Sequence, residues 1–477
     1  MRKTILITLL LIFSLSSLFS SGNSEKYTPA SKLQGEAVSS LAKAQEEETV
    51  SISEMLYSLG NLYTFLDSNY LWTIDSKEMQ TNLIKAMVSS LGDKYSYYIT
   101  PEEAEDFKEN SKGDYVGIGT YLTKVNPDYI DPKDPSTYMV IISSPFPGGP
   151  ADRAGIRAKD MISHVNGEDI SKLTPTEASK LIRGKEGEDI TLTIHRGDAV
   201  FDITLRPEVV TTPTTSKTML DGDIGYLFIS SFTSHTYDNF NKDMNYLLEN
   251  GAKRIILDLR NNGGGYVDDS LKIANSFISD GKLLTAHFKN SNKTIVYNAT
   301  ATTLVPAEYP VIILVNEGTA SASEILTAAL KENNRATVIG SKTFGKGVMQ
   351  SEIPYLGGYL CIVTSKYTTP LDNDIHEKGI TPDIIIEEEE YSEEDLKAYA
   401  DFLKNNNMKE YIEENPEYSK ENILRFSKLN KDTGVPETLL CLLIRNEYVY
   451  SLDFDKRPVA DPEFDIVLKR AIEEIKK

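Results

Sequence analysis

Apolar residues follow two different rhythms along this chain. Between Ile52 and Phe107 they recur at helical spacing, first Met55, Leu59, Leu62 and Leu66 and then Leu83, Met87 and Leu91, which predicts a small helical domain over residues 51–112. From residue 211 to 390 the rhythm changes to short unbroken apolar runs separated by helical patterns. Strands are expected at Ile224–Ile229, Arg254–Leu259, Val311–Val315 and Ala336–Gly340, with helices near Tyr237–Glu249 and Asp269–Ile278 and from Ala322 to Lys331. Strands without a polar face are buried on both sides, so the alternation predicts an α/β core around a largely parallel sheet. After the acidic run Glu387–Glu390, residues 391–477 are charged and mainly helical in pattern, and nothing in them points to a function.

Composition sets the surroundings. The first 22 residues combine a basic start (Arg2, Lys3), an apolar stretch from Ile5 to Phe13 that extends to Leu18 and Phe19, and the small residues Ser20 and Gly22 at cleavage positions. That is the make-up of a secretory signal peptide, so the mature chain is expected to be periplasmic or secreted. The stretch is short for a membrane span, and membrane association is expected only if it stays uncleaved. Residues 23–50, rich in Ser, Lys, Glu and Gln, read as a linker. Two cysteines, Cys361 and Cys441, are too few for a disulfide framework, and Cys361 lies in an apolar run that predicts burial. With 50 basic against 71 acidic residues the net charge is −21, which opposes binding to phosphate backbones and argues against nucleic acid as a partner. The five histidines (His164, His195, His235, His287, His376) lie far apart and form no pair at metal-ligand spacing, so no metal and no cofactor is expected.

Candidate chemistry is concentrated in Gly318-Thr-Ala-Ser-Ala-Ser-Glu-Ile325, in Gly340-Ser-Lys-Thr-Phe-Gly-Lys-Gly347 and in Gln350. Ser321 opens a helix, and a short strand returns the chain before Lys346, so a turn can bring the amine beside the hydroxyl, as a Ser-Lys hydrolase requires. Each residue also has a plainer reading. Ser321-Ala-Ser-Glu324 fits a capping box, Lys346 between glycines fits a solvated turn, and Gln350 fits a polar surface. Their joint arrangement favours the chemistry: Lys346 and Gln350 are four apart in an extended segment, where a period of two puts both on one face. At a helix start the Ala322 N–H points outward, ready to hold an oxyanion. The small and apolar neighbours Ala320, Ala322, Ile325 and Leu326 suit a lysine that must lose its proton near neutral pH. Gly340-x-x-x-x-Gly345-Lys346 also matches the start of a phosphate-binding loop. Its eighth position, however, is Gly347 rather than Ser or Thr, and Val348–Pro354 alternates like a strand where that loop launches a helix.

These motifs closely resemble the active-site region of the carboxyl-terminal processing peptidases, or tail-specific proteases, with Thr319 in place of the first serine of their Ser-Ala-Ser-Ala-Ser-Glu-Ile run. The resemblance implies that Ser321 is the nucleophile, Lys346 the general base and Gln350 the residue orienting it. Asp258-Leu-Arg-Asn-Asn-Gly-Gly-Gly265 is similar to the family's Asp-Leu-Arg-x-Asn-x-Gly-Gly signature, and its glycines allow close backbone approach. Gly264 is taken as the second oxyanion donor, with Gly265 the alternative. Leu91 to Glu103 resembles the family's stretch before its PDZ domain, with Lys94 where proline is usual. Residues 113–210 resemble that domain. Tyr115, Val116, Gly117, Ile118 and Gly119 are expected as its carboxylate-binding loop and edge strand, where free N–H groups hold a chain end. Residues 126–138 read as a loop inserted in it. From about Leu56 to Asp383, then, the resemblance implies an α/β multidomain chain: a ClpP/crotonase-like protease core, residues 211–390, with an inserted PDZ domain and helical N- and C-terminal regions. The implied activity is a serine endopeptidase acting on polypeptide substrates with free C-termini, and helical arms at both ends suit a homodimer. The alternative is a PDZ-type adaptor with an inactive core, against which the intact Ser321, Lys346 and Gln350 argue.

Overall fold

The computed structural model describes residues 50–124, 134–289, 293–300, 302–387, 391–404, 408–452 and 456–477; the expected signal segment, nearly all of the linker and most of the 126–138 loop lie outside them. The chain divides into two compact units, residues 1–83 and 84–477. In the first, Ser51 caps the helix Ile52–Asn69: its hydroxyl accepts from the Glu54 N–H at 3.2 Å, and the Glu54 carboxylate accepts from the Ser51 N–H at 3.0 Å. The helix forms where the period predicts it but buries none of its residues, and Leu62 remains 53% exposed.

The larger unit is built on a six-stranded sheet in the order Thr215–Leu220, Ile224–Ile229, Arg254–Asp258, Val311–Val315, Thr337–Gly340, Ile384–Ile385. Only its first pair is antiparallel. Alternate residues of these strands feed two separate cores. Leu227, Ile229, Ile255, Leu257, Ile313 and Val315 pack among residues of the helices Thr236–Glu249, Val267–Asn275 and Ala322–Glu332. Ile224, Tyr226, Ile256, Ile312, Leu314 and Ile339 pack against Val467, Leu468, Ala471 and Ile475 of the C-terminal helix Ile466–Ile475. The last helix of the chain therefore covers one face of the sheet. The helices Met408–Glu414, Lys420–Leu429 and Glu437–Ser451 share a core of their own.

A second, antiparallel sheet runs Tyr97–Ile99, Gly358–Thr368, Lys282–Phe288, Lys293–Asn298, with Val348–Tyr355 also paired to Gly358–Thr368. Tyr97 pairs with Cys361, so the segment 51–112, expected as a helical domain, also contributes a strand to the core. Cys361 and Cys441 are both buried and free.

Between these parts lies an antiparallel sheet, Thr120–Thr123, Val140–Pro145, Met161–Val165, Ile190–Arg196, Ala199–Leu205, packed on the helix Pro175–Arg183 through Ile142, Ile162, Leu192, Ile194, Ala178 and Ile182. Its two connections to the core pair with each other, Asp114–Gly117 against Glu208–Thr211, as a two-stranded stem. Among the described residues no helix is long and apolar enough to cross a membrane.

Candidate active site

Adjacent parallel strands place their following loops side by side at the sheet's carboxyl edge, and here the loops after Arg254–Asp258 and Val311–Val315 are joined by side-chain bonds. Asn316 Oδ1 accepts from the Asn261 N–H at 2.8 Å, Thr319 Oγ1 donates to the Leu259 carbonyl at 2.8 Å, and Ser323 Oγ donates to the Asn262 carbonyl at 2.9 Å. This bracing holds Ser321 at φ 55° and ψ −117°, a conformation that costs an ordinary residue about 1–3 kcal/mol. The serine sits between strand and helix, 9% exposed.

Glu324, one turn into that helix and fully buried, ties the Ser321 turn to the Lys346 loop. One carboxylate oxygen accepts from the Ser321 N–H at 2.9 Å and the Lys346 N–H at 2.8 Å; the other accepts from the Gly345 N–H at 2.8 Å and Thr343 Oγ1 at 2.6 Å. All four partners donate, the pattern a carboxylate satisfies. The cap expected from Ser-x-x-Glu is thus real in its carboxylate half and does more than cap. Across from it, the buried Tyr367 hydroxyl donates toward the Lys346 carbonyl and lies 3.2 Å from the Ser321 carbonyl. Burial first, then the nearby Glu324 and Tyr95, push that phenol well above its ordinary range and keep it a donor.

Lys346 Nζ donates to Gln350 Oε1 at 2.7 Å, and Gln350 Nε2 donates to the Tyr95 carbonyl at 2.6 Å. The two residues therefore meet, although Lys346 precedes the strand Val348–Tyr355 and a bulge between Met349 and Gln350 breaks the period of two. The ammonium also lies 5.0 Å from the centre of the Tyr95 ring. Half-burial lowers the Lys346 pKa, because desolvation penalises the charged form. No hydrogen bond joins Nζ to Ser321 Oγ in this structure. His376, read from sequence as an ordinary surface or strand residue, accepts from the Gly347 N–H at 3.3 Å and so supports the Lys346 loop.

The oxyanion assignment needs correction at one position. The Gly264 N–H donates to Asn262 Oδ1 at 2.9 Å and is not open to a substrate. Neither the Ala322 nor the Gly265 N–H has an acceptor within the described residues. Gly264 matters through its missing side chain: at φ 99° a Cβ would stand 2.7 Å from both the Ala320 carbonyl and Ser321 Cβ.

The five PDZ positions also separate. Tyr115, Val116 and Gly117 belong to the stem, paired with Val210, Val209 and Glu208, and so do not form the open edge strand expected of them. The Tyr115 ring covers Gly117. Ile118 is buried in the domain's core, and Gly119 at φ 69° turns the chain into the edge strand Thr120–Thr123. Glu324, Tyr367 and Tyr95 were missed as site residues; only Glu324 had a local signal, and it pointed to a cap.

Residues 223–386 match the model of peptidase family S41, and residues 141–196 match that of the PDZ domain. The chain is 37% identical over 337 residues to a protein named "Probable CtpA-like serine protease" from Staphylococcus aureus, covering 70% of this chain and 66% of that protein. It is 38% identical over 332 residues to the protein of the same name from Staphylococcus saprophyticus, covering 69% and 65%. It thus spans about two thirds of the length of these relatives. A photosystem II D1 C-terminal processing protease of known structure is 26% identical, with a TM-score of 0.40 over 68% of this chain and 86% of that one. The chain belongs to the C-terminal processing peptidases of family S41, which are serine-type peptidases, and carries a PDZ domain.

Proposed function

We propose that this protein is a serine endopeptidase of the periplasm or the exterior that captures unstructured C-terminal tails in its PDZ domain and cuts nearby with a Ser321–Lys346 dyad on a ClpP/crotonase-like core. The observation that carries the reading is Lys346: its amine is half-buried and held by Gln350, on a loop that Glu324 fastens to the backbone of Ser321. The open edge strand Thr120–Thr123, preceded by the Gly119 turn, supports capture of a chain end by strand addition. The exposed apolar row of the helix Ile52–Asn69 supports pairing with a second copy of the chain.

In the proposed reaction Lys346 turns from Gln350 to Ser321 Oγ once a peptide excludes water, a tightening common between free and substrate-bound sites. Ser321 Oγ attacks the peptide carbonyl carbon as its proton passes to the neutral Lys346 amine. The N–H groups of Ala322 and Gly265 hold the oxygen that becomes negative. Collapse breaks the C–N bond, and the Lys346 ammonium returns the proton to the departing amine. Water then attacks the acyl ester with Lys346 again as base, and Ser321 regains its proton.

Incubation of the purified chain with an unstructured protein, followed by mass spectrometry, tests the reading. Defined fragments are expected from the natural sequence and none from Ser321→Ala, Lys346→Ala or Lys346→Arg, since arginine keeps its proton. The same fragments from Ser321→Ala would refute it.

A further inference from the structure

The rim of the site carries a cation that the reaction does not use. Lys94 is exposed, yet its side chain is not loose: Nζ lies 5.2 Å from the centre of the Tyr95 ring and 4.8 Å from that of Phe344. Two aromatic faces attract an ammonium and narrow its range of positions. Both rings belong to the site. Tyr95 carries the Lys346 ammonium at 5.0 Å, and Phe344, 48% exposed, donates its N–H to the Thr319 carbonyl at 3.0 Å in the turn that leads to Ser321.

Lys94 and Lys346 each stand about 5 Å from the centre of one ring, so their ammonium groups are no further apart than twice that. An extended polypeptide covers that span in about three residues. Among the described residues no carboxylate forms an ion pair with Lys94, although acidic residues outnumber basic ones 71 to 50. An anchored ammonium at the mouth of a site that handles polypeptide, with its charge unpaired, is suited to a carboxylate brought by the substrate.

We infer that Lys94 is a specificity residue: its ammonium binds an aspartate or glutamate of the substrate within about three residues of the scissile bond. This rests on the peptidase reading above. Recognition is by charge at the rim, and the acyl-transfer chemistry at Ser321 is unchanged.

The test uses a neutral quenched-fluorescent peptide in which a single Glu, Gln or Lys is placed in turn at each position up to three residues either side of the cut. The kcat/KM is measured for the natural sequence, Lys94→Ala and Lys94→Glu. At one position the natural protein should favour Glu over Gln by about fivefold, the upper range for an exposed ion pair. The ratio should shrink toward one at roughly 0.5 M salt. Lys94→Ala should remove the preference at that position, and Lys94→Glu should transfer it to the Lys peptide. Equal Glu and Gln rates at every position, or the same ratios in all three proteins, would overturn the inference. If the natural protein cuts none of the peptides, the peptidase reading is what fails. Fluorescence anisotropy with Ser321→Ala then decides the Lys94 question separately: acidic preference reversed by adding Lys94→Glu supports it, and equal binding overturns it.

Discussion

Replacing Glu324 by glutamine keeps the size of the side chain but exchanges one acceptor oxygen for an NH2 donor. Four donors converge there, two on each oxygen: the Ser321 and Lys346 N–H groups at 2.9 and 2.8 Å, and the Gly345 N–H and Thr343 hydroxyl at 2.8 and 2.6 Å. Whichever way the amide turns, its NH2 faces two donors. A hydrogen bond to a charged group contributes about 1.5–3 kcal/mol, so loss of two predicts a cost of about 3–6 kcal/mol. If the amide faces Thr343, whose hydroxyl can rotate to accept, only the Gly345 bond is lost and the cost falls to about 1.5–3 kcal/mol. Activity should fall as well, by about a hundredfold, since the carboxylate sets the spacing of Ser321 and Lys346 and a misplacement near 1 Å costs about that much. Unfolding in urea should be followed by far-UV circular dichroism, because the single tryptophan, Trp72, lies in the other compact unit. A Glu324→Gln protein within about 1 kcal/mol of the natural one, with kcat/KM unchanged, would show that the carboxylate does not tie the two turns together.

Further outcomes follow from the same geometry. Burial lowers the Lys346 pKa from its ordinary 10.5, so kcat/KM should rise with pH along a limb whose midpoint lies below that value. The Tyr95 ring favours the ammonium, so Tyr95→Leu should let the proton leave at lower pH. Its midpoint should drop by about 0.4–0.7 unit, from 0.5–1 kcal/mol of cation–π attraction, and an unmoved midpoint would refute that contact. Gly264→Ala should lose about a hundredfold or more in kcat/KM, because its Cβ would press on Ser321 Cβ at 2.7 Å; normal activity would contradict the packing. A substrate tail with a free carboxylate should be cut faster at subsaturating concentration than the same tail amidated, and equal rates would mean that the Gly119 turn holds no chain end.

The parallel core was legible because its strands are unbroken apolar runs, which only a strand buried on both faces requires; each run divides its alternate residues between two cores. What lay hidden was made by pairing over long sequence distances. Tyr97–Ile99 is a three-residue strand held by Gly358–Thr368, and no local period announces it. Its position is what brings the Tyr95 carbonyl to Gln350 and the Tyr95 ring to Lys346. The edge-strand reading of Tyr115–Gly117 misled for a related reason. A run such as Tyr115-Val-Gly-Ile-Gly119 suits either an edge strand or a stem, and the partner strand Glu208–Thr211, far along the chain, decides.

At the candidate site, spacing singled out Ser321, Lys346 and Gln350 but could not reveal why the strained serine holds its shape. A residue at φ 55° needs anchors on both sides of its Cα, or it relaxes toward the ordinary helical start. Its N–H is fixed by Glu324, and its carbonyl accepts the Ile325 N–H at 3.0 Å while lying 3.2 Å from the Tyr367 hydroxyl. Glu324 and Tyr367 each also grip the backbone of Lys346. The anchors that keep Ser321 strained are therefore the ones that locate Lys346, so the strain cannot relax without the two residues coming apart. A capping glutamate gives the same Ser-x-x-Glu pattern whether or not a second loop uses its remaining lone pairs. Three successive glycines are equally silent on which N–H stays open; the amide of Asn262 decides, by occupying that of Gly264.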